Sequence, residues 1–87
     1  MSFEWDENKR QSNSKKHQID FYEVAKAFET GFLAEWQSSQ KNESRVLRLI
    51  NLNETVIVVV YTLRDQKIRI ISARRASEYE RKKLNDL

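Results

Sequence analysis

The chain has 87 residues, with no cysteine, no proline and a single glycine. This length fits one small domain over residues 1–87, and the composition excludes disulfides, thiolate metal sites and glycine-rich phosphate loops. The net charge of +3 conceals an asymmetry, because residues 1–44 carry six basic and eight acidic side chains whereas residues 45–87 carry ten and five. The basic C-terminal half indicates an anionic partner.

The N-terminal sequence shows no targeting pattern. Residues 1–6 precede a long polar run and not the apolar core of a signal peptide. No apolar run in the chain approaches the roughly 20 residues that span a bilayer. We therefore expect a cytoplasmic protein.

The chain begins with a predicted strand and a polar helix. Residues 3–5 alternate as in a short strand, and Asp6 can cap a helix over residues 7–18. A helix without large apolar side chains faces solvent, so Lys9 and Arg10 are expected on a solvated surface.

A second, amphipathic helix is predicted from Asp20. Asp20 and Glu23 have the spacing of a capping box. The apolar positions that follow recur at i, i+3, i+4 and i+7, and they are Phe21, Val24, Ala25 and Phe28. Gly31 is placed to end this helix.

The middle of the chain predicts two strands separated by a loop. Residues 32–36 form the first strand, and the polar residues 37–44 form the loop. Residues 45–50 form a half-exposed strand with Leu47 and Leu49 on one face. Residues 51–54 then supply a turn.

Residues 55–75 predict a β-hairpin that contains the most apolar run of the chain, residues 56–61. That run is apolar on both faces, so its strand should lie in the middle of the sheet. A polar break at residues 64–67 separates it from the second strand. Simple alternation predicts two faces for that second strand: Ile68, Ile70 and Ser72 on one, Arg69, Ile71 and Ala73 on the other.

A short helix is predicted at the C-terminal end. Ser77 and Glu80 form a capping-box sequence, and the helix runs over residues 78–84. Its apolar content is thin, which makes it a candidate for docking onto another chain. The element order predicts an α+β domain in which the helices lie on one side of an antiparallel meander.

Two groups of residues carry a pattern that extends over nearly the whole chain. The first group is Phe3-Glu4-Trp5-Asp6, Lys9, Asn13, Lys16-His17, Ile19 and Phe21. The second is Glu43 with Arg45, then Val60-Tyr61-Thr62, Arg64, Ile68-Arg69-Ile70-Ile71-Ser72-Ala73-Arg74 and Ala76. Together they resemble the BrnT-type toxin family. The family usually has glycine after the Lys-His pair, where this chain has Gln18. It also commonly has tyrosine and glycine where Leu84 and Asn51 stand.

The resemblance implies a RelE-like fold and a bacterial ribonuclease toxin. It implies neutralisation by a ribbon-helix-helix antitoxin, in a heterotetramer or larger complex that represses its operon through the antitoxin's DNA-binding domain. RNA carries its own nucleophile in the 2′-hydroxyl, so no metal or cofactor is expected. One histidine and no cysteine likewise offer no metal site.

The chemistry of RNA cleavage selects cationic and titratable side chains. The expected catalytic residues are Lys16, His17, Arg64 and Arg74. The expected substrate contacts are Glu43, Arg45, Arg69 and Trp36. Lys16 and His17 are expected over one end of the sheet with Glu43, Arg45 and Arg74. Arg64 and Arg69 should lie near the hairpin turn, at the opposite end from Arg74.

Each assignment has a structural alternative. His17 could make local hydrogen bonds at a helix end, and Lys16 could be a surface lysine. Glu43 and Arg45 could form a surface ion pair, and Trp36 could pack in the core, as Tyr61 is expected to do. For the whole chain, the alternative to a nuclease is a non-catalytic module that binds nucleic acid or protein in an operon-regulating complex.

Overall fold

The structure is a computed structural model that describes residues 1–40 and 43–86, without the side chains of residues 39, 40, 43 and 86. Three α-helices, five strands and a 3₁₀ turn make an α+β arrangement, as predicted. In chain order the elements are β1 (Phe3–Glu4), α1 (Glu7–His17), α2 (Phe21–Ala27), β2 (Phe32–Gln40), β3 (Glu43–Leu52), β4 (Thr55–Arg64), β5 (Lys67–Arg75), α3 (Glu78–Lys82) and the 3₁₀ turn Lys83–Asp86. No helix in the described part of the chain is long and apolar enough to cross a membrane.

The five strands form one mixed sheet in the order β1-β5-β4-β3-β2. Strands β2 to β5 are an antiparallel meander, and β1 pairs in parallel with β5. The central place of β4 agrees with its apolar run, since Val58 and Val59 are both fully buried on opposite faces. Both φ angles are positive in the two-residue turn after β3, at Asn53 and Glu54, and in the turn after β4, at Asp65 and Gln66. This is the turn geometry that matches strand twist.

Asp6 and Asp20 are the N-caps of α1 and α2, as predicted. The Asp6 carboxylate accepts hydrogen bonds from the first turn of α1, and the Asp20 carboxylate accepts one from the Tyr22 amide. Gly31, however, does not end α2, which stops at Ala27. A Cβ at Gly31 would lie 2.4 Å from the Asn51 carbonyl oxygen, so the glycine permits close approach of two backbones.

The prediction of a loop over residues 37–44 is wrong. Strand β2 continues to Gln40 and β3 begins at Glu43, with Ser38 paired to Arg45. Backbone hydrogen bonds hold this ladder, and they do not require apolar side chains. Leu47 and Leu49 share a face, as predicted, but Leu49 and Ile50 are fully buried, so β3 is covered on both sides at that point.

The helices do not all lie on one side of the sheet. Helices α1 and α2 cover one face, where Phe21, Val24 and Phe28 pack against β4 and β5. Helix α3 and the 3₁₀ turn lie on the other face, where Ala76 and Leu84 pack with Leu49 and Val58. Since β4 is apolar on both faces, each face needs its own cover.

A β-bulge overturns the predicted alternation of β5. Tyr61 pairs with Ile70 and Val60 pairs with Ser72, so Ile71 is an extra residue in the ladder. After the bulge, Ala73 joins the core beneath α1 and α2. Ser72 therefore turns to the opposite face, which we call the α3 face.

Candidate nucleic-acid-binding cleft

Two neighbouring cavities open on the α3 face of the sheet. The larger, of about 380 Å³, lies at the β4–β5 turn and is named the turn pocket; it is lined by Lys9, Arg45, Thr62, Leu63, Arg64, Arg69 and Ile71. The smaller, of about 170 Å³, is named the Arg74 pocket; it is lined by Ser38, Arg45, Leu47, Val60, Ser72 and Arg74. Arg45 lines both, so the two pockets are adjacent, and together they are named the cleft.

The bulge in β5 is what places Arg69 and Arg74 in the same cleft. Five positions separate them, so a regular strand would point them to opposite faces. With Ile71 as an extra residue, Arg69 lies opposite Thr62 and Arg74 lies opposite Val58, on the same side of the sheet. The Arg69 guanidinium is held by a salt bridge of 3.2 Å to Glu4.

Glu80 holds the Arg74 guanidinium in a two-point contact. Arg74 Nη1 and Nη2 donate to Glu80 Oε1 and Oε2 over 2.8 and 2.9 Å. Oε1 also accepts the Ser77 amide hydrogen bond of the α3 capping box. The hydrogen bonds from Arg74 lower the pKa of Glu80 to about 2, and they raise the pKa of Arg74. Helix α3 therefore orients the Arg74 side chain through Glu80.

Lys16 and His17 lie in the last turn of α1, beside the open edge of β5. Asn13 fixes this part of the helix, because its amide hydrogen-bonds both the carbonyl and the N–H of Ala73. The His17 carbonyl accepts a hydrogen bond of 3.3 Å from Arg75. Neither Lys16 nor His17 is among the side chains that line the two described pockets.

Lys16 nevertheless shares a helical stripe of α1 with Lys9, which lines the turn pocket. Lys9, Asn13 and Lys16 stand at i, i+4 and i+7, which is one stripe of a helix. Lys9 lines the turn pocket, and Asn13 contacts β5. Lys16 continues this row toward the end of β5 that carries Arg74.

The other expected substrate contacts differ in their surroundings. Trp36 is half-buried among the apolar residues of the α3 face, and Lys83 Nζ lies 5.1 Å from its ring centre. The side chain of Glu43 lies outside the described residues. Tyr61 is buried in the opposite face, as expected, where its hydroxyl donates to Glu35. Burial and this carboxylate raise the pKa of Tyr61 to about 12.

A family model described as the ribonuclease toxin BrnT of type II toxin-antitoxin systems matches residues 5–80. The chain belongs to the BrnT family. This membership implies an RNA target and a protein antitoxin as partner. No curated protein matches the chain.

The cleft of this BrnT-family protein includes residues that the sequence analysis did not assign to the site. Lys9 is exposed, as expected, and it also lines the turn pocket. Its spacing from Asn13 and Lys16 is the signal that could have placed it. Ser38, Thr62 and Ser72 add hydroxyl groups to the cleft. Thr62 and Ser72 are among the residues that carry the family resemblance, but the sequence analysis assigned none of the three to the site.

The cleft presents cations and hydroxyls on a rigid sheet. Arginine forks and hydroxyl donors suit phosphate oxygens. Among residues 1–40 and 43–86, no three His, Cys, Asp or Glu side chains are grouped as metal ligands. The chemical character of the cleft is therefore that of an anion site.

Proposed function

We propose that the protein is a metal-independent endoribonuclease that cleaves RNA in this cleft by attack of a 2′-hydroxyl on the adjacent phosphate. The supporting observation is the Arg74 pocket, where Arg45 and Arg74 meet with the hydroxyls of Ser38 and Ser72. Two guanidinium groups can hold the non-bridging oxygens and stabilise the extra negative charge that develops on phosphorus. The 2′-oxygen forms a bond to phosphorus as the 5′-oxygen leaves, giving a 2′,3′-cyclic phosphate and a 5′-hydroxyl.

Arg74 is the residue to which we assign charge stabilisation. Its two-point contact with Glu80 fixes the guanidinium plane, and 38% of its side chain remains accessible. An oriented donor needs no reorganisation when the transition-state charge appears. Arg64 lies in the turn pocket with Arg69, so both are assigned to substrate binding.

Lys16 is assigned as the group that moves the 2′-hydroxyl proton. It is exposed at the end of the α1 row whose other members are Lys9 and Asn13. His17 is proposed as the acid that protonates the leaving oxygen, because it is the only histidine in the chain.

The biological setting that we propose follows the family. The fold is of the RelE-like type, and the toxin acts in the cytoplasm by cutting RNA and so inhibiting translation. A ribbon-helix-helix antitoxin neutralises it in a heterotetramer or larger complex that represses the operon. The Arg-rich cleft supports this partner assignment in one respect, since an acidic segment could occupy it in place of RNA.

A non-catalytic binding module is the second candidate. One observation favours it: the side chains that line the Arg74 pocket include no group that titrates near neutrality. Such a module would hold RNA through the same guanidinium groups and would release no products.

Cleavage of matched oligonucleotides tests the two candidates. The protein is incubated in EDTA with an RNA oligonucleotide and with its 2′-deoxy counterpart. A nuclease of the proposed type cuts only the RNA and leaves cyclic-phosphate ends, whereas a binding module retains both strands intact. Cleavage of the deoxy strand, or loss of RNA cleavage in EDTA, contradicts the proposed mechanism.

A pair of neighbouring lysines tests the proton-transfer assignment. Lys16→Met should lower kcat by about 10²-fold or more and remove the acidic limb of the pH–rate profile, because the rise of rate with pH reports deprotonation of the general base. Lys15→Met is the control, because Lys15 precedes Lys16 on α1 and lies off the stripe formed by Lys9, Asn13 and Lys16. Equal activity of the two variants contradicts a role for Lys16.

A further inference from the structure

The turn pocket carries more positive charge than its own structure neutralises. Its lining includes the cations Lys9, Arg45, Arg64 and Arg69. Glu4 forms a salt bridge with Arg69. Within the described part of the chain, neither Lys9 nor Arg64 has a carboxylate at salt-bridge distance. Cations gathered in one concave site repel one another unless an anion enters.

Four separate elements position the backbones of these cations, with Arg45 on β3. Arg64 and Arg69 stand on adjacent strands beside the tight turn at Asp65 and Gln66, and Arg69 is fixed further by Glu4. Lys9 comes from α1, which Asn13 ties to β5. The pocket is therefore built before any ligand arrives, which reduces the entropy cost of binding.

The position of the turn pocket suits an extended chain that also reaches the Arg74 pocket. Arg69 faces Thr62 and Arg74 faces Val58, four residues apart on β4. At about 3.3 Å per strand residue, this separation is about 13 Å. A stacked single strand advances about 3.4 Å per nucleotide and an extended strand more, so 13 Å corresponds to at most about four nucleotides.

We propose that the turn pocket is a second phosphate subsite, which binds the RNA backbone up to about four nucleotides from the phosphate that is cut. This inference rests on the proposed function because it takes single-stranded RNA as the ligand. Lys9 and Arg64 contact a phosphate that does not react. They anchor the strand so that the scissile phosphate reaches Arg74. Their contacts supply binding energy at a part of the RNA that is remote from the bond that breaks.

Binding of uncleavable oligonucleotides of graded length tests the subsite. Fluorescence anisotropy is measured with 2′-O-methyl oligonucleotides of about two, five and eight nucleotides, at several salt concentrations. Affinity should rise at least about tenfold between two and five nucleotides and change little beyond. Arg64→Gln and Lys9→Gln should each remove most of that rise and reduce the log–log salt slope by roughly 0.7.

Lys26→Gln is the matched control. It removes one charge from α2, on the opposite side of the sheet, where Lys26 is 78% exposed and pairs with Glu23. Its affinity and salt slope should equal those of the unmodified chain. A flat dependence on length, or equal effects of Lys26→Gln and Arg64→Gln, overturns the subsite.

This binding assay, combined with the RNA cleavage assay described above and with the same titration of the antitoxin, separates this inference from the proposed function. If RNA remains uncut but the length dependence and the variant effects appear, the subsite stands and the nuclease mechanism fails. If RNA is cut but affinity does not depend on oligonucleotide length, the cleavage mechanism stands and the subsite is overturned. If Lys9→Gln and Arg64→Gln weaken only antitoxin binding, the turn pocket binds an acidic protein segment, and the RNA subsite is overturned.

Discussion

Glu80→Gln should destabilise the protein in a pH-dependent manner. Gln keeps the shape of the side chain and its capping-box acceptor, but it removes the charge that faces Arg74. The pKa of Glu80 falls from 4.5 to about 2 in the folded chain. At about 1.4 kcal/mol per pKa unit, this corresponds to about 3 kcal/mol of stability. Since Arg74 is 38% exposed, solvent screening reduces the expected loss to about 2 kcal/mol.

The sign of the pH dependence follows from the lowered pKa. A carboxylate with a lowered folded-state pKa stabilises the fold at pH values above its unfolded pKa, near 4.5, and loses that contribution as the pH falls toward 2. Urea unfolding at neutral and acidic pH measures this effect. The difference in free energy of unfolding between the unmodified chain and Glu80→Gln should have its full value near neutral pH. It should decrease progressively as the pH falls below 4.5.

Glu78→Gln provides the control for this experiment. Glu78 is on the same helix, but it is 78% exposed and lies 3.9 Å from Lys82. Its replacement should cost under about 0.5 kcal/mol at any pH. If the loss of unfolding free energy in Glu80→Gln stays constant with pH, or does not exceed the loss in Glu78→Gln, the claim that the Arg74–Glu80 ion pair stabilises the fold is refuted.

Three further substitutions test the backbone arguments, each by urea unfolding. Gln18→Gly should stabilise the chain by about 0.5–1 kcal/mol, because Gln18 caps α1 with a φ of 58°, and a loss of stability would contradict this. Asn13→Ala should cost about 2–3 kcal/mol, because it leaves the N–H and carbonyl of Ala73 without their partner, and a loss below about 0.5 kcal/mol would show that water replaces the amide. Gly31→Ala should destabilise the chain because its Cβ would meet the Asn51 carbonyl, whereas Thr30→Ala, one residue earlier, should be near neutral.

The core of the fold could be predicted from hydrophobic pattern and caps. The apolar run of β4 indicated a central strand, and Ser77 with Glu80 indicated the start of α3, as the structure has them. These features depend on local sequence. The length of the β2–β3 hairpin does not depend on local sequence in this way, because polar residues such as Ser38 can extend a ladder through backbone hydrogen bonds alone.

The composition of the cleft could be predicted only in part. Arg45, Arg69 and Arg74 were expected in the site, but their common face depends on the bulge at Ile71. No glycine or proline marks that bulge, so strand alternation assigned the wrong face to Ser72. The bulge arises from the pairing of β4 with β5, which is a tertiary property.

The cleavage rates of two cation variants test the central claim most directly. Arg74 lies in the cleft, whereas Lys26 is on α2, on the opposite side of the sheet, and is 78% exposed. In single-turnover cleavage of an RNA oligonucleotide, Arg74→Gln should be slower by about 10²-fold or more, and Lys26→Gln should stay within about threefold of the unmodified chain. Equal rates for Arg74→Gln and Lys26→Gln would contradict the claim that the bulged strand delivers Arg74 to the reacting phosphate.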